Sequence, residues 1–164
     1  MNQSVHTLDL LLRYLGEPAV VCGRTANHHL AKEIEVEDTV EAWLEFHDGK
    51  RACFYASNGY VTDAPVYLEL QGEKGRLCLN GADLTVYRDG EEPIHTICNQ
   101  QSGIGKSYWG CGHKACIEDF YHCLETGEIY QNSLSSVENT FRTTMRIYEA
   151  ARENGKREGE KNNG

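Results

Sequence analysis

Thr39-Val40-Glu41-Ala42-Trp43-Leu44-Glu45-Phe46-His47-Asp48-Gly49-Lys50-Arg51 carries the fold in miniature. Val40, Ala42, Leu44 and Phe46 alternate with Glu41, Trp43 and Glu45, the two-residue period of a strand with one buried face. Asp48-Gly49 supplies a tight hairpin turn, and the chain returns from Arg51 to about Ser57. The same grammar repeats on both sides. Ala19 to Ala26 reads as an earlier strand. Pro65 to Gln71 and Arg76 to Leu79 flank a Gly72-Glu73-Lys74-Gly75 turn. Leu84 to Arg88 and Ile94 to Cys98 read as two more strands. Short loops between successive strands describe an antiparallel meander.

Helical patterns bracket these strands. Val5, Leu8, Leu11, Leu12 and Leu15 recur at three- and four-residue spacing, and Gly16 followed by Pro18 ends the pattern. His113, Cys116, Ile117, Phe120, Cys123 and Leu124 form a second stripe, closed by Gly127. Ser135 and Glu138 have capping-box spacing. After them Val137, Phe141, Met145, Tyr148 and Ala151 lie on one face. The implied class is α+β: an open, mostly antiparallel sheet with helices packed on one face. The domain spans residues 1–155, and the Arg-, Glu-, Lys- and Asn-rich residues 156–164 read as a disordered tail. The second sheet face collects Trp43, Tyr55, Tyr67, Tyr87, Cys53 and Cys78 with Glu41, Glu45, Glu69 and Arg76. It reads either as a solvated face or as a protein–protein surface.

Composition excludes several classes of function. With 164 residues there is room for about one domain. Sixteen basic against 25 acidic residues give a net charge of −9, which repels phosphates and argues against nucleic acid as a partner. No apolar run approaches a membrane span or a signal peptide; Leu8-Asp9-Leu10-Leu11-Leu12 is short and carries a charge. Seven cysteines, an odd number without C-x-x-C, fit free thiols in a reducing compartment. The expectation is a cytoplasmic protein.

The chemical candidates are few. Asn2 and His6 stand four apart, so a helix through both brings an amide and an imidazole to one side, a pairing able to relay a proton to or from a hydroxyl. A capping Asn and a solvent-facing His explain the same spacing. Cys111, His113, Cys116, His122 and Cys123 are zinc-ligand types at spacings that no common zinc signature uses. His28-His29 read as loop residues. Gly103-Ile104-Gly105-Lys106-Ser107 lacks the first glycine of a phosphate loop, and no G-x-G-x-x-G or G-x-S-x-G occurs.

Four segments in order resemble landmarks of the Gfo/Idh/MocA oxidoreductases. They are Met1-Asn2-Gln3-Ser4-Val5-His6-Thr7-Leu8-Asp9-Leu10-Leu11; Glu35-Val36-Glu37-Asp38-Thr39 ahead of the Asp48-Gly49 hairpin; the Gly72–Gly75 turn; and Tyr108-Trp109-Gly110-Cys111-Gly112-His113 ahead of Ile117-Glu118-Asp119-Phe120. The chain is similar to the family's C-terminal α+β domain, which supplies substrate contacts and often the oligomer interface. The resemblance implies His6 as the proton-transfer residue, Asn2 as a substrate contact in place of the family's aspartate, and Tyr108, Trp109 and His113 as further pocket contacts. It also implies NAD or NADP as the cofactor of the full-length family and a sugar, polyol or related hydroxylated substrate. The glycine fingerprint and the Glu-Lys-Pro segment of the family's Rossmann domain are missing; both would lie upstream of Met1. The expectation is therefore that the chain alone binds no dinucleotide, turns nothing over, and assembles as a homo-oligomer through the sheet face. A self-associating, non-catalytic module is the other reading, and a small metalloprotein on Cys111, His113 and Cys116 a third.

Overall fold

A computed structural model describes residues 4–62, 64–97 and 112–162. The elements are α1 (Val5–Leu15), β1 (Pro18–Ala26), β2 (Thr39–Phe46), β3 (Arg51–Ser57), β4 (Tyr67–Gly72), β5 (Gly75–Asn80), β6 (Asp83–Tyr87), β7 (Ile94–Ile97), α2 (His113–Thr126) and α3 (Glu138–Asn162), the last preceded by a 3-10 turn at Ser135–Val137. Every strand pairing is antiparallel, as the alternation and the short turns require. The class is α+β. The meander is split into two sheets, β1-β2-β3 and β4-β5-β6-β7, where the pattern alone suggested one. The chain also divides into two compact units, residues 1–63 with 134–164 and residues 64–133. The break falls where β3 ends without a tight turn to pair β4 with it.

The first unit has its core where the quoted strand places it. Val40, Ala42, Leu44 and Phe46 of β2 are buried with Phe54 of β3, and Leu8, Leu11 and Leu12 of α1 are buried in the same unit. Helix α3 lies along β1, and α1 packs on α3. Its buried face is Thr140, Thr143 and Ile147. The apolar face expected from sequence is different, and much of it is open: Phe141 is 66% and Met145 41% exposed. The reason is a close backbone approach. A Cβ on Gly23 of β1 would sit 2.7 Å from the Ile147 carbonyl oxygen, so the strand has no room for a side chain where Ile147 of α3 crosses it. Polar clamps complete it. Arg146 donates to the carbonyls of Pro18 (2.5 Å) and Ala19 (2.7 Å), and the Asn154 amide donates to the Gly23 carbonyl (3.0 Å).

The loop before β2 is tied down by buried Asp38. Its carboxylate accepts the backbone N–H groups of His29 (2.5 Å) and Leu30 (2.9 Å) and the Thr39 hydroxyl (2.8 Å). Burial alone would raise its pKa. The opposing hydrogen bonds from Leu30, His29, His28 and Thr39 win and hold the carboxyl far below the usual range.

The outer face of the first sheet is a grid set by register. Cys22, Trp43 and Cys53 form one row across the three strands, and Arg24, Glu41 and Tyr55 the next. In the second unit Glu69, Cys78, Thr85 and His95 form a row, with Gln71, Arg76 and Tyr87 beside it. Tyr67 donates to Glu69 (2.6 Å), and Arg76 stands 4.2 Å above the Tyr87 ring while pairing with Glu69. All the aromatic, cysteine and charged residues assigned to the second face thus do share an outer face, but on two separate sheets. The backbone of α3 is helical to Asn162, into the tail that composition marks as disordered.

Candidate functional site

Helix α1 presents the principal candidate. Ser4 stands at its N-cap, and His6 is exposed in the first turn. One turn on, the helix is fixed to the fold. Leu8, Leu11 and Leu12 are buried, and the Asp9 carboxylate accepts the Thr140 hydroxyl of α3 at 2.6 Å. The other Asp9 oxygen accepts from Arg13 at 2.9 Å. His6 and Asp9 are three residues apart, so they lie on neighbouring positions of one helical face. The imidazole therefore projects from a rigid element, with its side chain open to a substrate or a partner. Sequence reasoning noted Asp9 only as a charge interrupting an apolar run. That interruption was the signal: a carboxylate among leucines needs a buried or half-buried partner, and Thr140 is that partner.

A second polar pair in the same unit joins α3 to the loop before β2. Tyr148 donates to Glu37 at 2.5 Å. Burial and this bond push the Tyr148 phenol up to about 12. Burial opposes ionisation of Glu37, but hydrogen bonds, that from Tyr148 among them, hold its carboxyl below its ordinary value. The pair fixes the loop against the helix and was not anticipated from sequence, because its members are 111 residues apart.

The other candidates distribute as follows. Asn2, Tyr108 and Trp109 lie outside the described residues, as do Gly103 to Ser107 and Cys111. His113 is exposed at the start of α2 in the second unit. Cys116 does not face a ligand set; its sulfur lies 2.9 Å from the Tyr130 hydroxyl. Among the described residues no group of three or more His, Cys, Asp or Glu side chains could hold a metal ion. His28 and His29 are loop residues, as expected, and the backbone of His29 serves Asp38.

All pairings among the described strands are antiparallel, whereas a dinucleotide crevice is built on parallel strands and a glycine turn opening onto a helix N-terminus. No described helix is long and apolar enough to cross a membrane.

Residues 1–78 match the family model of the GFO/IDH/MocA C-terminal domain. No curated protein sequence matches the chain. Solved structures share its fold. An oxidoreductase from Agrobacterium radiobacter in complex with NAD+, L-tartaric acid and magnesium aligns with a TM-score of 0.75 and 21% identity over 90% of this chain and 45% of its own. The WlbA dehydrogenase from Bordetella pertussis, in complex with NADH and UDP-GlcNAcA, aligns with a TM-score of 0.72 and 21% identity over 94% of this chain and 45% of its own. The UDP-N-acetylglucosamine 3-dehydrogenase GnnA from Acidithiobacillus ferrooxidans aligns with a TM-score of 0.72 and 17% identity over 89% of this chain and 45% of its own. The chain spans less than half the length of each of these structures. Over residues 1–78 the chain is thus similar in sequence to the C-terminal domain of the Gfo/Idh/MocA family, and its fold is that of the matching part of these oxidoreductases through most of the remainder.

Proposed function

We propose that residues 1–155 form the substrate side of an NAD(P)-dependent oxidoreductase acting on a sugar, polyol or related hydroxylated small molecule, with 156–164 as its tail. Oxidation of a carbinol releases a hydride and the hydroxyl proton. The hydride acceptor belongs to the half of such an enzyme that lies outside this chain. The share of this chain is the proton. His6 takes it at a ring nitrogen, and the Asp9–Thr140 bond keeps the first turn of α1 from shifting while it does so. Asn2, Tyr108, Trp109 and His113 contact the substrate in this reading. The observation that carries it is an exposed histidine on a helix whose next turn is fixed to the core. The chain alone holds no dinucleotide and turns nothing over, and the enzyme works in the cytoplasm.

Purified full-length gene product, assayed with NAD+ and NADP+ against a panel of sugars, polyols and sugar acids, tests the reading. His6→Gln lowers kcat by about 10²–10⁴-fold with KM for the cofactor unchanged. An unchanged kcat removes His6 from the chemistry. Residues 1–164 alone leave NADH fluorescence unaltered.

Self-association is the second element of the proposal, supported by one observation. Val20, Trp43 and Tyr55 are 46%, 40% and 55% exposed on one outer sheet face, a density of large apolar groups that suits a homo-oligomer contact. Sedimentation at increasing concentration checks it, and a strict monomer retires it.

A further inference from the structure

We draw no further inference here: the strongest candidate, the cavity of about 380 Å³ lined by Arg24 and Thr25 of β1, His28 of the loop that follows, Glu41 of β2 and Asn154 of α3, carries nothing, because the Asn154 amide and the Thr39 hydroxyl in its wall are already taken up by the Gly23 carbonyl and by Asp38 and Ser57, and nothing in the structure shows what covers it.

Discussion

Gly23→Ala probes the seam on which the first unit depends. The added Cβ would stand 2.7 Å from the Ile147 carbonyl oxygen, 3.0 Å from its Cγ2 and 3.3 Å from its Cα. Ordinary contact begins near 3.4 Å, so α3 must lift by about 0.5–1 Å, a gap that forfeits a quarter to a half of each dispersion well across the seam. Ile147 is fully buried, and the Arg146 bonds to Pro18 and Ala19 lengthen with the same movement. The expected loss is about 1–3 kcal/mol. Urea unfolding monitored by tryptophan fluorescence in a Trp109→Phe background, where Trp43 of β2 alone reports, measures it. Trimming the side chain with Ile147→Val does not rescue the variant, because the closest obstacle is backbone. Gly112→Ala, with open space around its Cβ and φ −73°, leaves the Trp43 transition in place. An unchanged midpoint for Gly23→Ala, or full rescue by Ile147→Val, refutes the close-approach argument.

Three further outcomes are expected. A double-mutant cycle with Asp9→Ala and Thr140→Val gives a coupling of about 1.5–3 kcal/mol, the range of a hydrogen bond to a charged group, and a value near zero removes the bond from the account of α1. Tyr148 has a phenol raised from 10.0 to about 12, so its contribution to stability is complete below pH 10 and is lost as pH rises from 10 to 12. Glu37, with a lowered pKa, contributes above 4.5 and loses that contribution as pH falls through its folded value. Tyr148→Phe therefore flattens the alkaline limb of a plot of urea midpoint against pH, and an unaltered limb counts against the pair. Gly75→Ala combines a φ of +145° with a Cβ 2.1 Å from the Tyr87 carbonyl oxygen, and a cost of about 3 kcal/mol or more appears as lost amide protection in β5 and β6.

Local periodicity carried the strands well. The span Thr39 to Phe46 and its Asp48-Gly49 turn were legible because burial on one face enforces alternation, and a slip by one residue would expose Leu44. The outer-face residues from Trp43 to Tyr87 were legible for the same reason. The division into two sheets was not, since alternation says which way a side chain points and nothing about which strand is its neighbour. The buried face of α3 was misassigned because hydropathy ranks Phe141 and Met145 above Thr140 and Thr143. Close backbone approach at Gly23 reverses that order, and its cause lies more than 110 residues away in sequence. Of the candidate site, His6 was legible through the resemblance of its flanking residues to a known family. Asp9 with Thr140, and Glu37 with Tyr148, depend on the packing of distant segments that no local pattern encodes.

The row Cys22–Trp43–Cys53 has a consequence for how the protein meets an oxidant. The two thiols are both exposed, yet one whole strand separates them. At about 4.8 Å per strand their Cα atoms stand roughly 10 Å apart, beyond the 4.4–6.8 Å that a disulfide spans. Peroxide or diamide therefore cannot staple this face shut within one molecule. Each sulfur reacts on its own, by sulfenylation or by capture of an external thiol, and the indole between them dims as either neighbour is modified.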